Sequence, residues 1–348
     1  MKAAIFETYH GPLSIRDVKD PACPPEGVIV KVGACGVCRS DWHGWSGADP
    51  DVVLPHVPGH EFTGTVVDVG RDYHGFAIGD RVTAPFILAC GECPDCRAGE
   101  PTVCNHQHVI GFSSWGAFAE LLPVPRASFN LVKLPDHLGF DSAAAMGCRL
   151  TTAFRGLVDR AHLQPGEWLA IHGCGGVGLS AVMIGAAIGA QILAIDVNDD
   201  ALAMARSLGA TAVLNPQKAG DTADAVRDMT GGGAHVSIDA LGISATFHNS
   251  IRGLRKLGRH VQIGQPLEKH ATPDIPLLET VYARQITIHG TRGIGASRFA
   301  ALLGMIAAGR LDPGRIITKR IGLDAAGIAL SAMDGYSGVG VTVIDRIP

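Results

Sequence analysis

WLAIHGCGGVGLSAVMIGAAIGAQILAID, residues Trp168–Asp196, decides the fold. Trp168–His172 is a short apolar run of strand character. Gly173-Cys-Gly175-Gly176-Val177-Gly178 follows at once, and an apolar segment of helical length runs on to about Gly189. Gln191–Asp196 is the next strand, and Asp196 stands 18 residues beyond Gly178. A glycine loop that follows a strand, opens a helix and precedes an acidic residue at the end of the next strand fits a dinucleotide site. The glycines let backbone amides approach a pyrophosphate, and the helix N-terminus favours its negative charge. Asp196 can accept hydrogen bonds from both adenosine ribose hydroxyls and would repel a 2′-phosphate. Asn198, Asp199 and Asp200 follow, with no Lys or Arg before Arg206, so NAD is expected in preference to NADP. The plainer reading is a glycine turn that only packs helix on strand. Val177–Ile195 also approaches membrane-spanning length. Its three glycines and its end at Asp196 read instead as a buried helix feeding a buried strand.

Downstream the alternation continues. Helices are expected at Asp199–Leu208, Asp221–Thr230 and Ala245–Leu257, and strands at Ala212–Asn215, Ala234–Ala240 and Arg259–Gly264. Strands alternating with helices of this length indicate a parallel, doubly wound sheet. Upstream of about residue 150 the chain is rich in Pro, Gly and Val. Short β-like runs, Val28–Val32, Phe62–Val69 and Arg81–Pro85, are bounded by turn residues, which reads as an irregular β-barrel-like domain with long loops. After about Thr287 the character is mixed: a helix at Ser297–Gly309, then a β-like tail at Gly338–Asp345.

The 348 residues include 45 Gly, nearly twice the usual share of about 7%, which implies many tight turns and close backbone approaches. The length suits two domains, each able to bury a core. A net charge of −4 gives no electrostatic footprint for nucleic acid or an anionic membrane, so neither is expected as a partner. Nine cysteines, an odd count, with no apolar signal-peptide core in Met1–Asp20, point to thiolate chemistry in a reducing, cytoplasmic compartment.

Cys90, Cys93, Cys96 and Cys104 are separated by two, two and seven residues. Four thiolates in a compact lobe suit one tetrahedral zinc with no open position, hence a structural role. An iron–sulfur cluster and a nucleic-acid-binding zinc ribbon are the alternatives, and no basic stripe supports the latter. A second set is dispersed: Cys38 opens the loop to His43, His60-Glu61 follows Pro58-Gly59, and Cys148 stands far downstream. Two Cys and one His would give a three-ligand zinc site with an open fourth position. No local spacing joins them, and an ordinary loop histidine and a buried thiol would read the same.

Taken in order, the loop Cys38–His43, Gly59-His60-Glu61 with Gly64, Gly79-Asp80-Arg81-Val82, the four-Cys lobe and the loop Gly173–Gly178 resemble the zinc-containing alcohol dehydrogenases of the medium-chain dehydrogenase/reductase superfamily. The resemblance runs from Met1 to the tail. It implies a GroES-like irregular β-barrel catalytic domain (1–148, with the structural-zinc lobe at 88–106), a Rossmann NAD-binding domain (149–288) and a C-terminal segment (289–348) that completes the catalytic domain. It implies two Zn2+ per chain: Cys38, His60 and Cys148 on the catalytic ion, with Glu61 able to approach it, and the four-Cys lobe on the structural one. Asp41 would fix the tautomer of His60. Arg39 would reach the pyrophosphate, Thr152 would lie near the nicotinamide, and Gln262–Pro266, including Ile263 and Gly264, would line its cleft. Many relatives place a basic residue after the glycine of the final strand, where this chain has Val341 after Gly340.

The same resemblance implies hydride transfer between a primary or secondary alcohol and NAD, with its proton leaving through Ser40, the cofactor ribose and His43. Trp45, Phe86 and Trp115 are candidate pocket walls, with core packing as the plain alternative for each. The expected substrate is an aliphatic or aromatic alcohol, or the matching aldehyde or ketone, and the sequence does not choose between ethanol-like and larger ones. A polyol or threonine-like amino-alcohol dehydrogenase is the nearest alternative. A zinc-free reductase of the same superfamily conflicts with both ligand sets, and a catalytically silent zinc- and NAD-binding protein conflicts with Ser40, His43 and the open metal position. A homo-oligomer, tetramer or dimer, is expected by analogy.

Overall fold

A computed structural model describes residues 1–335 and 338–348. They form two compact units. One comprises Met1–Thr151, Gly293–Ala307 and Asp312–Pro348, the other Thr152–Arg292 and Ala308–Leu311. The chain passes from one to the other after Thr151 and back after Arg292. The return of Ala308–Leu311 was not expected. There the Arg310 guanidinium donates to the Ala187 carbonyl in the last turn of a helix, where a cation is favoured.

The second unit holds a six-stranded parallel sheet. Its strands, in sequence order, are Trp168–His172, Gln191–Ile195, Ala212–Leu214, Ala234–Asp239, Leu254–Gln262 and Thr287–Gly290. They lie in the sheet in the order third, second, first, fourth, fifth, sixth, the Rossmann order that reverses beside the first strand. The apolar Val177–Ile195 stretch divides into the helix Gly176–Ile188 and the strand Gln191–Ile195, both largely buried. Among the described residues no helix is long and apolar enough to cross a membrane. Helix starts follow local capping: Asn198 accepts the amides of Asp200 and Ala201, and Asp221 accepts that of Asp224.

One helix ends sooner than its periodicity suggests. Ser244–Arg252 stops at Gly253, and the strand begins at Leu254 rather than Arg259. Ala234 pairs with Leu254 but Val236 with Arg259, so Arg255–Gly258 bulges outward. Leu254 is buried while Leu257 is exposed with φ 62°. Burying Leu254 beneath the sheet outweighs continuing an apolar helical face.

In the first unit the sheet order is Ile317–Gly322, Val341–Arg346, Val28–Val37, Glu61–Val69, Arg81–Thr83, Val132–Lys133, with Leu121–Val124 also pairing Val28–Val37. The strand expected at Val28–Val32 runs on to Val37, past a register shift between Val32 and Ala34. The tail strand pairs antiparallel with it, Thr342 opposite Val37, so the C-terminal segment belongs to this unit. Phe6, Val30, Phe62, Val66, Phe118 and Leu122 fill the core beneath. Because Gly36 pairs with Glu61, the ends of these two strands place Cys38 and His60 close together.

Candidate metal centres and dinucleotide loop

Cys38 is the last residue before the short helix Arg39–Trp45, and Asp41 closes that turn: its Oδ2 accepts the Cys38 amide at 2.8 Å. Its Oδ1 accepts the Gly59 amide at 3.0 Å and lies 2.8 Å from Nδ1 of His60. One buried carboxylate therefore holds both the cysteine turn and the histidine ring. Burial alone would lower the pKa of His60, but the charge and hydrogen bond of Asp41, with Cys38, raise it well above the ordinary value. Nδ1 is directed at Asp41, so Nε2 faces the other way, buried and without a hydrogen-bond partner. A buried imidazole nitrogen with no hydrogen-bond partner is costly unless another group engages it.

What surrounds that nitrogen is a ligand set. The ligand atoms of Cys38, His60, Glu61 and Cys148 all lie within 4.8 Å of one another. The hydrogen bond with Cys148 holds the Cys38 thiol well below the usual thiol range and pushes Cys148 well above it, as expected of two buried sulfurs sharing one proton. Displacing that proton by a cation would free both thiolates. Two sulfurs and an orphaned imidazole nitrogen fit zinc.

Cys148 comes from the turn Met146–Leu150, which interrupts two helical segments. Glu61 fastens it: Oε1 accepts the amides of Cys148 at 2.8 Å and Arg149 at 3.3 Å. Oε2 pairs with the Arg149 guanidinium, which also donates to the Val37 carbonyl at 3.0 Å. Burial lifts Glu61 to about 7 against the opposing charge of Arg149. Arg149 escaped the sequence reading. Its signal was a lone charge in the otherwise uncharged run between Asp141 and Arg155.

The four-Cys lobe is compact and buried, with Cys90 Sγ 3.9 Å from Cys96 Sγ and Cys93 Sγ 3.8 Å from Cys104 Sγ. Backbone amides point at the sulfurs: Cys93 at Cys90, and Cys90 and His106 at Cys104, each at 3.3 Å. The amides of Cys96 and Asn105 bring Cys93 down to about 6, while burial pushes Cys96 up to about 12. Four sulfurs so arranged fit a closed tetrahedral ion.

Ser40 Oγ lies 3.9 Å from Cys38 Sγ, and His43 follows one turn later on the same helix, both half-buried. The Arg39 guanidinium lies 3.9 Å over the Trp42 ring and donates to the Met333 carbonyl. Phe86 packs against the His60 ring with centroids 5.7 Å apart. Phe112, unnoticed in the sequence, does so at 5.2 Å. Trp45 is a core residue, packed edge-on against His10 and hydrogen-bonded to the Gly11 carbonyl at 2.7 Å. Trp115 is exposed, donates to the Pro55 carbonyl at 3.1 Å and lines a surface hollow with Met1, Pro24 and Leu122. The structure thus brings Phe86 to the candidate ligand His60 and gives Trp45 and Trp115 other surroundings.

In the second unit Gly173 has φ +96°, a left-handed conformation that favours glycine. A Cβ on Gly178 would strike the Gly173 carbonyl, whereas one on Gly175 would meet nothing within 4 Å. The open side of the loop is therefore at Gly175, before the half-buried Gly176 and Val177 that begin the helix. Asp196 closes the loop, its carboxylate accepting the amides of Cys174 at 2.6 Å and Asn198 at 2.8 Å. Ile263 and Gly264 are tied to the Asp239 carbonyl at 3.1 and 2.8 Å. The Asp239 carboxylate, another residue the sequence reading passed over, accepts the amides of Leu241 and Gly242. Thr152 is buried in this unit. An open glycine turn at a helix N-terminus fits a pyrophosphate.

Residues 24–136 match the alcohol dehydrogenase GroES-like domain, and residues 176–308 match the zinc-binding dehydrogenase family. An alcohol dehydrogenase of Geobacillus stearothermophilus is 36% identical over 85% of this chain and 84% of its own length. A D-arabitol-phosphate dehydrogenase of Enterococcus avium is 31% identical over 87% of this chain and 86% of its own. The solved structure of an NAD-dependent alcohol dehydrogenase superposes with a TM-score of 0.90 at 30% identity, covering 100% of both chains.

Proposed function

The chain belongs to the zinc-binding alcohol dehydrogenases, and from that premise we propose how its residues divide the work. It is a zinc-dependent alcohol dehydrogenase that interconverts a primary or secondary alcohol with its aldehyde or ketone. The observation that carries the assignment of residues is the orphaned Nε2 of His60, facing the sulfurs of Cys38 and Cys148. When bound, the ion supplies the Lewis acidity that makes an alcohol hydroxyl acidic at neutral pH, and NAD supplies the hydride acceptor.

Cys38, His60 and Cys148 hold the catalytic zinc, and Cys90, Cys93, Cys96 and Cys104 hold a second, structural one. Asp41 keeps the His60 proton on Nδ1, so that Nε2 presents its lone pair. Ser40 receives the hydroxyl proton and His43 passes it toward solvent. Phe86 and Phe112 keep the surroundings of His60 apolar, which suits an alcohol with an aliphatic or aromatic body. The loop Gly173–Gly178 cradles the cofactor pyrophosphate, Asp196 takes the ribose hydroxyls and selects NAD over NADP, and Arg39, Thr152, Ile263 and Gly264 make further cofactor contacts. A homo-oligomer is supported by the exposed Leu277, Leu278 and Tyr282 near the edge strand Thr287–Gly290. The proposed assembly is a tetramer or a dimer, and the proposed location is the cytoplasm.

The test is a panel of alcohols, polyols, aldehydes and ketones with NAD(H) and NADP(H), run beside zinc quantification. Two zinc per chain and turnover of simple alcohols with NAD are expected. C38S should abolish turnover and leave NAD binding intact, and oxidation that survives it would overturn the zinc assignment. Turnover confined to phosphorylated polyols would move the substrate class toward that of the arabitol-phosphate relative.

A further inference from the structure

Arg149 is a buried cation that the proposed chemistry does not use. Its guanidinium lies between the Val37 carbonyl and the Glu61 carboxylate, at the back of the Cys38–His60–Cys148 cluster. Glu61 stands close enough to the other three ligand atoms to be a fourth ligand, since all lie within 4.8 Å. Its oxygens are nevertheless committed elsewhere: Oε1 to two amides, Oε2 to Arg149. The backbone is cut to fit the pair. A Cβ on Gly36 would collide with Glu61 Oε2 and Arg149 Nη2, and one on Gly147 with the Glu61 side chain. A buried carboxylate is stabilised by a counter-charge, and the guanidinium of Arg149 is the one that pairs with it directly. The planar fork of arginine satisfies the carboxylate and the Val37 carbonyl together, which a lysine cannot do in the same way.

We infer that Arg149 is a positioning residue that holds the Glu61 carboxylate out of the coordination sphere of the metal, keeping the fourth position for substrate. The inference rests on the reading of Cys38, His60 and Cys148 as the catalytic metal site. Through the same carboxylate, Arg149 also fixes the turn that presents Cys148.

The test uses the full-length protein with cobalt(II) in place of zinc, and imidazole as a small neutral ligand for an open metal position. The four-cysteine site offers no such position, so the imidazole difference spectrum reports only the other ion. In R149M the released carboxylate takes the fourth position. The visible bands should change without imidazole, and imidazole binding should weaken by about 10–100-fold. R149M/E61Q, which removes the competing carboxylate, should restore the wild-type difference spectrum. A wild-type imidazole response in R149M, or a double variant that fails to restore it, overturns the inference. Should R149M be insoluble, R149K takes its place, with a partial loss of imidazole binding that E61Q reverses; an unaltered response in R149K overturns the inference equally. A wild-type protein with no imidazole-responsive cobalt overturns the metal reading itself, whereas a responsive wild type with an unaltered variant overturns the role of Arg149 alone.

Discussion

Gly36 lies opposite Glu61 in the antiparallel pair of strands Val28–Val37 and Glu61–Val69. That one register pair brings Cys38, two residues past Gly36, beside His60, one residue before Glu61. It also leaves no room for a side chain at position 36, because the space holds the Glu61–Arg149 ion pair.

Gly36→Ala should therefore damage the site from behind. The added methyl meets the ends of a buried carboxylate and a buried guanidinium, which must give way together, and overpacking of this kind costs about 1–3 kcal/mol. A lower thermal midpoint and a lower zinc content than in the unsubstituted protein are expected. Unchanged stability and zinc content would show that the pair can shift freely.

Asp41→Asn should loosen the catalytic ion selectively. The substitution removes the charge that holds the His60 proton and turns one of three acceptor contacts into a clash of donors. Metal affinity at the proposed Cys38–His60–Cys148 site should fall by about 10–100-fold in a chelator competition, with metal at the four-Cys lobe unaffected.

Asp196→Asn should relax the cofactor choice. The amide keeps an oxygen for the loop amide of Cys174 but loses the charge that would repel a 2′-phosphate. The ratio of kcat/KM for NAD over NADP should drop by about tenfold or more, the equivalent of about 1.4 kcal/mol. A ratio that stays constant would place cofactor selection elsewhere.

Acid should unfold the protein partly through its nucleotide unit. Burial pushes His260 down to about 4, and burial with the nearby His260 pushes His172 down to about 3. Both are neutral when folded and take up a proton on unfolding, whose ordinary histidine pKa is about 6.5. Their contribution is thus complete above about 6.5 and is lost as pH falls toward about 4, by about 1.4 kcal/mol per pH unit for each. His260→Asn should flatten the slope of unfolding free energy against pH by one such increment between pH 6 and 5. Equal slopes in urea titrations of variant and wild type would contradict the assignment.

How much of this was legible in the sequence follows the distance over which each feature is encoded. The loop Gly173–Gly178 and the four-Cys lobe are local patterns, and each appears where its spacing put it. Cys38, His60 and Cys148 share no local pattern. The resemblance named them, but only strand pairing and the turn at Met146–Leu150 bring them together. Arg149 was missed because a buried charge is intelligible only once its partner is known. Periodicity likewise carried the helix too far past Gly253, since nothing local states that Leu254 is needed beneath the sheet. Trp45 was singled out for its place near His43, but the helix turns its ring toward His10.

The strand Val341–Arg346 has a bearing on how the protein is made. It lies directly beside Val28–Val37, the strand that delivers Cys38, although the two come from opposite ends of the sequence. The nucleotide unit draws all six strands of its sheet from Thr152–Arg292 and can complete that sheet as soon as this stretch leaves the ribosome. The metal unit cannot. Its sheet keeps an open edge beside the proposed zinc ligands throughout synthesis of the intervening residues, and the long loop must close before the edge is paired. Assembly of the proposed metal site is thereby expected to be the later event, and the unpaired edge is the part of the nascent chain most open to misassembly.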